Sequence, residues 1–152
     1  MFRRRIAAAG IVFGAVSLLA ACADMRGSTA QAPSVVNLRA SLSGAQEVPP
    51  VASPSTGSAT MTYDQASKRL TWSVTWSPMT GPATMAHFHG PAAPGANAGV
   101  ALPIGGAGLA SPANGQATLT DAQAADLLAG RWYINIHSAA HPGGEIRGQV
   151  MR

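Results

Sequence analysis

The chain has 152 residues and a formal net charge of +4, and it is 47% hydrophobic but only 11% charged. That length suits one domain, and so few charges on so apolar a chain exclude a charge-rich disordered protein and a coiled coil. Its 17 glycines and 11 prolines follow no collagen period and mark frequent turns, and its single cysteine excludes an intrachain disulfide.

At the amino terminus, Arg3, Arg4 and Arg5 precede the apolar run Ile6 to Leu19, which ends in Leu19-Ala20-Ala21-Cys22. Positive residues, a short apolar stretch and small residues before a cut predict a secretory signal over residues 1–21. A run of about fourteen residues is short of the roughly twenty that span a bilayer. Leu-Ala-Ala-Cys resembles the bacterial lipobox. That resemblance implies lipidation of Cys22 and a membrane anchor. With Ala23 rather than aspartate behind the cysteine, it also implies the periplasmic face of the outer membrane in the bacterial cell envelope. Loss of the three leading arginines leaves seven basic side chains against six acidic ones. No basic stripe remains to track phosphates, so nucleic acid is not an expected partner. Residues 22–34 read as the lipidated cysteine and a flexible tether, and residues 35–152 as the folded domain.

The domain reads as a series of short strands. Val36–Leu42 is the first, closed by Ser43-Gly44. Ala59–Tyr63 alternates, Asp64 to Lys68 supplies a turn, and Leu70–Trp76 follows with Leu70, Trp72, Val74 and Trp76 on one face. Between the first two strands, Gln46-Glu47-Val48-Pro49-Pro50 reads as an extended structural connection. Met85–His89, Val100–Ile104 and Gln116–Leu119 are bounded by Gly or Pro, and Trp132–His137 and Glu145–Val150 flank the turn Pro142-Gly143-Gly144. One helix is predicted over 121–129, with Thr120 and Gln123 at capping-box spacing, Asp121 at the positive end of the dipole and Gly130 as the stop. About eight short strands with regular turns predict an all-β, antiparallel, Greek-key-like β-sandwich.

The chemistry lies in four histidines, His87, His89, His137 and His141. In a strand, residues i and i+2 share a face with Cβ atoms about 7 Å apart, so His87 and His89 can converge on one ion. Tyr133, Asn135 and His137 share a face of a later strand, and His141 follows in the turn. Met85 shares the face of His87 and His89 but is expected to fill the core rather than bind. An all-imidazole site suits copper, zinc, iron or nickel; copper leads the affinity order and zinc is the runner-up. Arg147 shares a face with Glu145 and Gln149, and pairing across the last turn can bring that face beside Asn135 and His137.

Three segments carry a family resemblance: Leu42-Ser43-Gly44-Ala45-Gln46-Glu47-Val48-Pro49-Pro50-Val51, Ala86-His87-Phe88-His89-Gly90-Pro91-Ala92 and His141-Pro142-Gly143-Gly144-Glu145-Ile146-Arg147-Gly148-Gln149. Together they resemble the chordin-domain (CHRD) family over nearly the whole mature domain. The resemblance implies an extracytoplasmic β-sandwich module, with His87, His89 and His137 at positions usual for the family and His141 where asparagine is common. A looser likeness, at the level of fold, is to copper-only forms of copper–zinc superoxide dismutase. It implies a His-x-His strand pair at copper, with Arg147 as a catalytic residue that attracts a small anion such as superoxide. The alternative for Arg147 is a structural partner of Glu145 or of a backbone carbonyl. Two readings of the whole chain stay open: a copper-dependent superoxide dismutase, or a non-catalytic copper storage, delivery or adhesion module.

Overall fold

The computed structural model describes residues 34–152. The expected signal segment, Cys22 and the tether up to residue 33 lie outside the described residues. Among the described residues the elements run β1 (Val35–Ser43), β2 (Thr56–Asp64), β3 (Arg69–Trp76), β4 (Ala83–His89), β5 (Val100–Gly105), β6 (Ala113–Thr118), α1 (Asp121–Leu128), β7 (Tyr133–Ser138) and β8 (Ile146–Gln149). The all-β, antiparallel expectation of eight strands and one short helix holds. Every ladder is antiparallel, in one sheet of order β5-β4-β7-β8-β1-β2-β3-β6.

The sheet curls until its two ends, β5 and β6, touch without a ladder between them, which makes it nearly barrel-shaped. β7 returns beside β4, with β5 on the other side of β4 and β6 next along, the strand order of a Greek key. Alternation drives the curl. Leu70, Trp72 and Val74 on β3, and Ala86 and Phe88 on β4, all point inward and are buried. Trp72 on β3 meets Phe88 on β4 edge-on at 5.3 Å between ring centroids, so strands far apart in the ladder order face one another across the core, and Trp132, just before β7, packs on Phe88 at 5.7 Å.

Local signals act where the residue chemistry requires. Thr120 accepts from the Gln123 backbone N–H while the Gln123 side chain accepts from the Thr120 N–H, the reciprocal capping box that opens α1. Gly130 follows the helix at φ +68°, the left-handed conformation that glycine adopts without strain. β7 differs from the other strands in being buried along its whole length. Ile134 and Ile136 enter the core, while the opposite face, Tyr133, Asn135 and His137, is covered by loops. The site lies on that covered outer face.

Candidate metal centre

Register places the polar side chains in rows across three strands. His87 on β4 stands opposite Asn135 on β7, and Asn135 stands opposite Arg147 on β8. His89 faces Tyr133, and Tyr133 faces Gln149; Met85 faces His137. The i, i+2 spacing of His87 and His89 and the β4–β7 pairing bring three imidazoles together. His87, His89 and His137 each offer a ring nitrogen within 4.8 Å of the others.

Hydrogen bonds set the tautomers. The Nδ1 of His89 lies 3.0 Å from the carbonyl of Ala98, and the Nδ1 of His137 lies 2.9 Å from that of Pro142. A carbonyl only accepts, so both Nδ1 atoms carry the proton and both Nε2 atoms present a lone pair. The Nε2 of His137 accepts from the Nδ1 of His87 at 3.2 Å. The Nε2 of His89 is buried and has no hydrogen-bond partner. A buried lone pair without a donor is costly, and an ion among the three rings would satisfy it. Backbone carbonyls on the distal nitrogen are also what orients imidazole ligands at metal sites. The residues present therefore fit a metal ion.

Burial lowers the pKa of His89 and His137, and lowers that of His87 together with the charges of His137 and His89. All three rings are thereby held in the neutral form that binds metal.

His141 is not one of the three, and its backbone pairs with Ser138 in the turn. The turn itself works as expected. Gly144, at φ +130°, lies so close to the Asn135 amide that a β-carbon there would collide with it. Met85 is not in the core but 40% exposed, because Ala86 and Phe88 take the inward face of β4.

Arg147 does share the face of Asn135, as the alternation implied, but it does not pair with Glu145. Its guanidinium donates to Asn97 Oδ1 at 2.9 Å and to the Ala96 carbonyl at 2.6 Å, and lies 3.5 Å over the Tyr133 ring. Tyr133 in turn stacks on His89 at 5.0 Å, and its hydroxyl meets the backbone of Ala98. Arg147 thus holds the loop whose Ala98 carbonyl orients His89.

Glu47 is the residue that sequence reasoning passed over. The segment around it is not simply extended: a single 3-10 turn at Gly44–Gln46 directs Glu47 inward, where it is 6% exposed and both oxygens accept from Asn135 Nδ2 at 3.0 Å. The available signal was its isolation, as the only charged residue between Arg39 and Asp64. Burial raises its pKa from 4.5 to about 7, against the opposing pull of Arg147 and of the hydrogen bonds from Asn135 and Val48. Clefts of about 380 Å³ and about 290 Å³ both reach it, the first also lined by Arg147 and the second by His141.

A raised folded-state pKa means that the native chain holds a proton which the unfolded chain has released. The contribution is whole below pH 4.5 and is lost as pH rises from 4.5 to about 7. At about 1.4 kcal/mol per unit, the loss amounts to a few kcal/mol. Glu47→Gln, which mimics the protonated group, should unfold at a higher temperature than the wild type at pH 8, with the gap closing at pH 5. Parallel melting curves at the two pH values check this.

The CHRD domain family model matches residues 38–150. No curated protein and no solved structure matches the chain.

Proposed function

The chain belongs to the CHRD domain family, and on that premise we propose that it is an exported, lipid-anchored copper-binding protein of the bacterial cell envelope. The ligands are His87, His89 and His137. The observation that carries the reading is the buried, partnerless Nε2 of His89, aimed into a cluster whose other two rings also offer nitrogen atoms. The three ring nitrogens are joined by no carboxylate, since Glu47 and Glu145 are engaged elsewhere. Such a set suits copper first and zinc second, and a bound copper ion would supply one-electron chemistry. The Cys22 anchor and the periplasmic face of the outer membrane complete the proposal, on the strength of the Leu-Ala-Ala-Cys segment.

Storage or delivery is the use that Arg147 favours. At 2% exposure, with its donors turned to Asn97 and Ala96 and its face to Tyr133, it is a brace rather than a free attractant for an anion. The second reading, dismutation of superoxide, is favoured by the histidine count, because three imidazoles leave a fourth coordination position for another donor or an anion.

The test is titration of metal-free protein with copper and zinc, followed by a superoxide assay of the loaded form. Tight copper binding by the wild type, lost in His87→Ala combined with His137→Ala, is the expected result. Binding that persists in the double variant would overturn the site. Turnover of superoxide by the loaded wild type would establish the second reading over storage.

A further inference from the structure

We propose that Met85 supplies a thioether to the ion held by His87, His89 and His137, which makes the site selective for copper(I). The inference rests on the metal-binding reading above and names the ion's oxidation state and its fourth donor.

Position carries the argument. Met85 stands two residues before His87 on the same face of β4, and directly opposite His137 on β7. Residues opposed in an antiparallel pair have Cβ atoms about 5 Å apart, and those two apart on a strand about 7 Å. A methionine side chain, unbranched with three rotatable bonds, covers that span. At 40% exposure it is not held by core packing, so its sulfur can turn toward the rings.

The neighbouring donors are already committed. Glu47 is tied to Asn135, and Glu145 to Ser53, Ser55 and Thr80. The Tyr133 hydroxyl meets the Ala98 backbone, and His141 stands outside the cluster. Met85 is the soft donor at the rim. Three borderline imidazoles alone rank copper above zinc without excluding zinc, whereas an added thioether favours the soft monovalent copper ion and gives zinc little.

The experiment compares wild type with Met85→Leu, a substitution of similar volume at an exposed site that leaves the fold intact. Copper(I) affinity is read anaerobically by competition with a chromophoric copper(I) chelator, and zinc affinity by competition with a zinc chelator. X-ray absorption at the copper edge reports sulfur directly. The expected result is a copper(I) affinity at least tenfold weaker in Met85→Leu, a zinc affinity within twofold, and a sulfur shell present only in the wild type. Equal copper(I) affinity in the two proteins, or a wild-type spectrum with nitrogen alone, would overturn the role of Met85 while leaving the three-histidine site standing. A wild type that binds neither ion would overturn both.

Discussion

Glu145→Ala should be among the most damaging single substitutions in the domain, lowering the free energy of unfolding by about 3–5 kcal/mol in a urea titration. The carboxylate is fully buried. It accepts from Ser53 Oγ at 2.8 Å, Thr80 N at 2.9 Å and Thr80 Oγ1 at 2.8 Å. Ser55 Oγ, whose one proton is shared with the Pro78 carbonyl, lies 3.1 Å from it. Hydrogen bonds to an ionised acceptor contribute about 1.5–3 kcal/mol each, and truncation would leave buried donors unpaired. These bonds pin the segment before β2 and the β3–β4 connection to the start of β8.

The pH signature is specific. Burial pushes the pKa of Glu145 up, but the hydrogen bonds from Ser138, Thr80 and Ser53 outweigh it and hold the pKa at about 2. A depressed acid stabilises the native chain above its ordinary value of 4.5, and that stability is lost as pH falls toward 2. The variant should show no such loss, so its deficit against wild type should shrink on acidification. A deficit under about 1 kcal/mol at pH 7 would mean that the network is dispensable.

Copper should raise the thermal midpoint of the wild type by on the order of 10–15 °C at a free concentration a thousand times the dissociation constant. That excess corresponds to about 4 kcal/mol of linkage to the native state, and a domain of this size shifts by several degrees per kcal/mol. His89→Phe should erase the rise at a modest cost to the metal-free protein, the loss of the Nδ1 bond to the Ala98 carbonyl, which the Tyr133 hydroxyl also reaches. The ring is replaced by one of similar shape that still stacks on Tyr133, and the partnerless Nε2 disappears. A merely structural histidine would behave in the opposite way, with a fall in the metal-free midpoint and an unchanged response to copper.

Ordinary imidazoles, with a pKa of 6.5, would weaken a three-histidine site about sixfold between pH 7.5 and 6.5. The lowered values here should keep most of the copper response across that interval. Their linkage to stability has the matching sign: the unfolded chain takes up protons first, so stability falls only as pH drops below 6.5.

The strands and the helix could be read from the chain because their signals are local. Leu70 to Trp76 alternates strictly, and Thr120 with Gln123 forms its own cap. Convergence of His87, His89 and His137 followed from strand period and from the pairing of β4 with β7. His141 was placed by chain proximity alone, and it is not among the three residues whose ring nitrogens lie together. Glu47 sits in a segment with no period, and only the folding of that segment back over β7 buries it. Met85 was assigned by composition, as a large apolar residue, although its own alternation with Ala86 and Phe88 already placed it with the histidines. Arg147 was correctly faced, but its partners come from a loop some fifty residues away in sequence.

The division of β7 between two neighbourhoods has an evolutionary corollary. Ile134 and Ile136 enter the core from one side of the strand, while Tyr133, Asn135 and His137 face the covering loops on the other. The outer side is nonetheless tied to the scaffold, since Asn135 packs against Gly144 and holds Glu47, and Tyr133 carries the guanidinium of Arg147. Exchange of that outer surface would therefore have to move in compensated pairs, Asn135 with Glu47 and Tyr133 with Arg147, rather than one codon at a time.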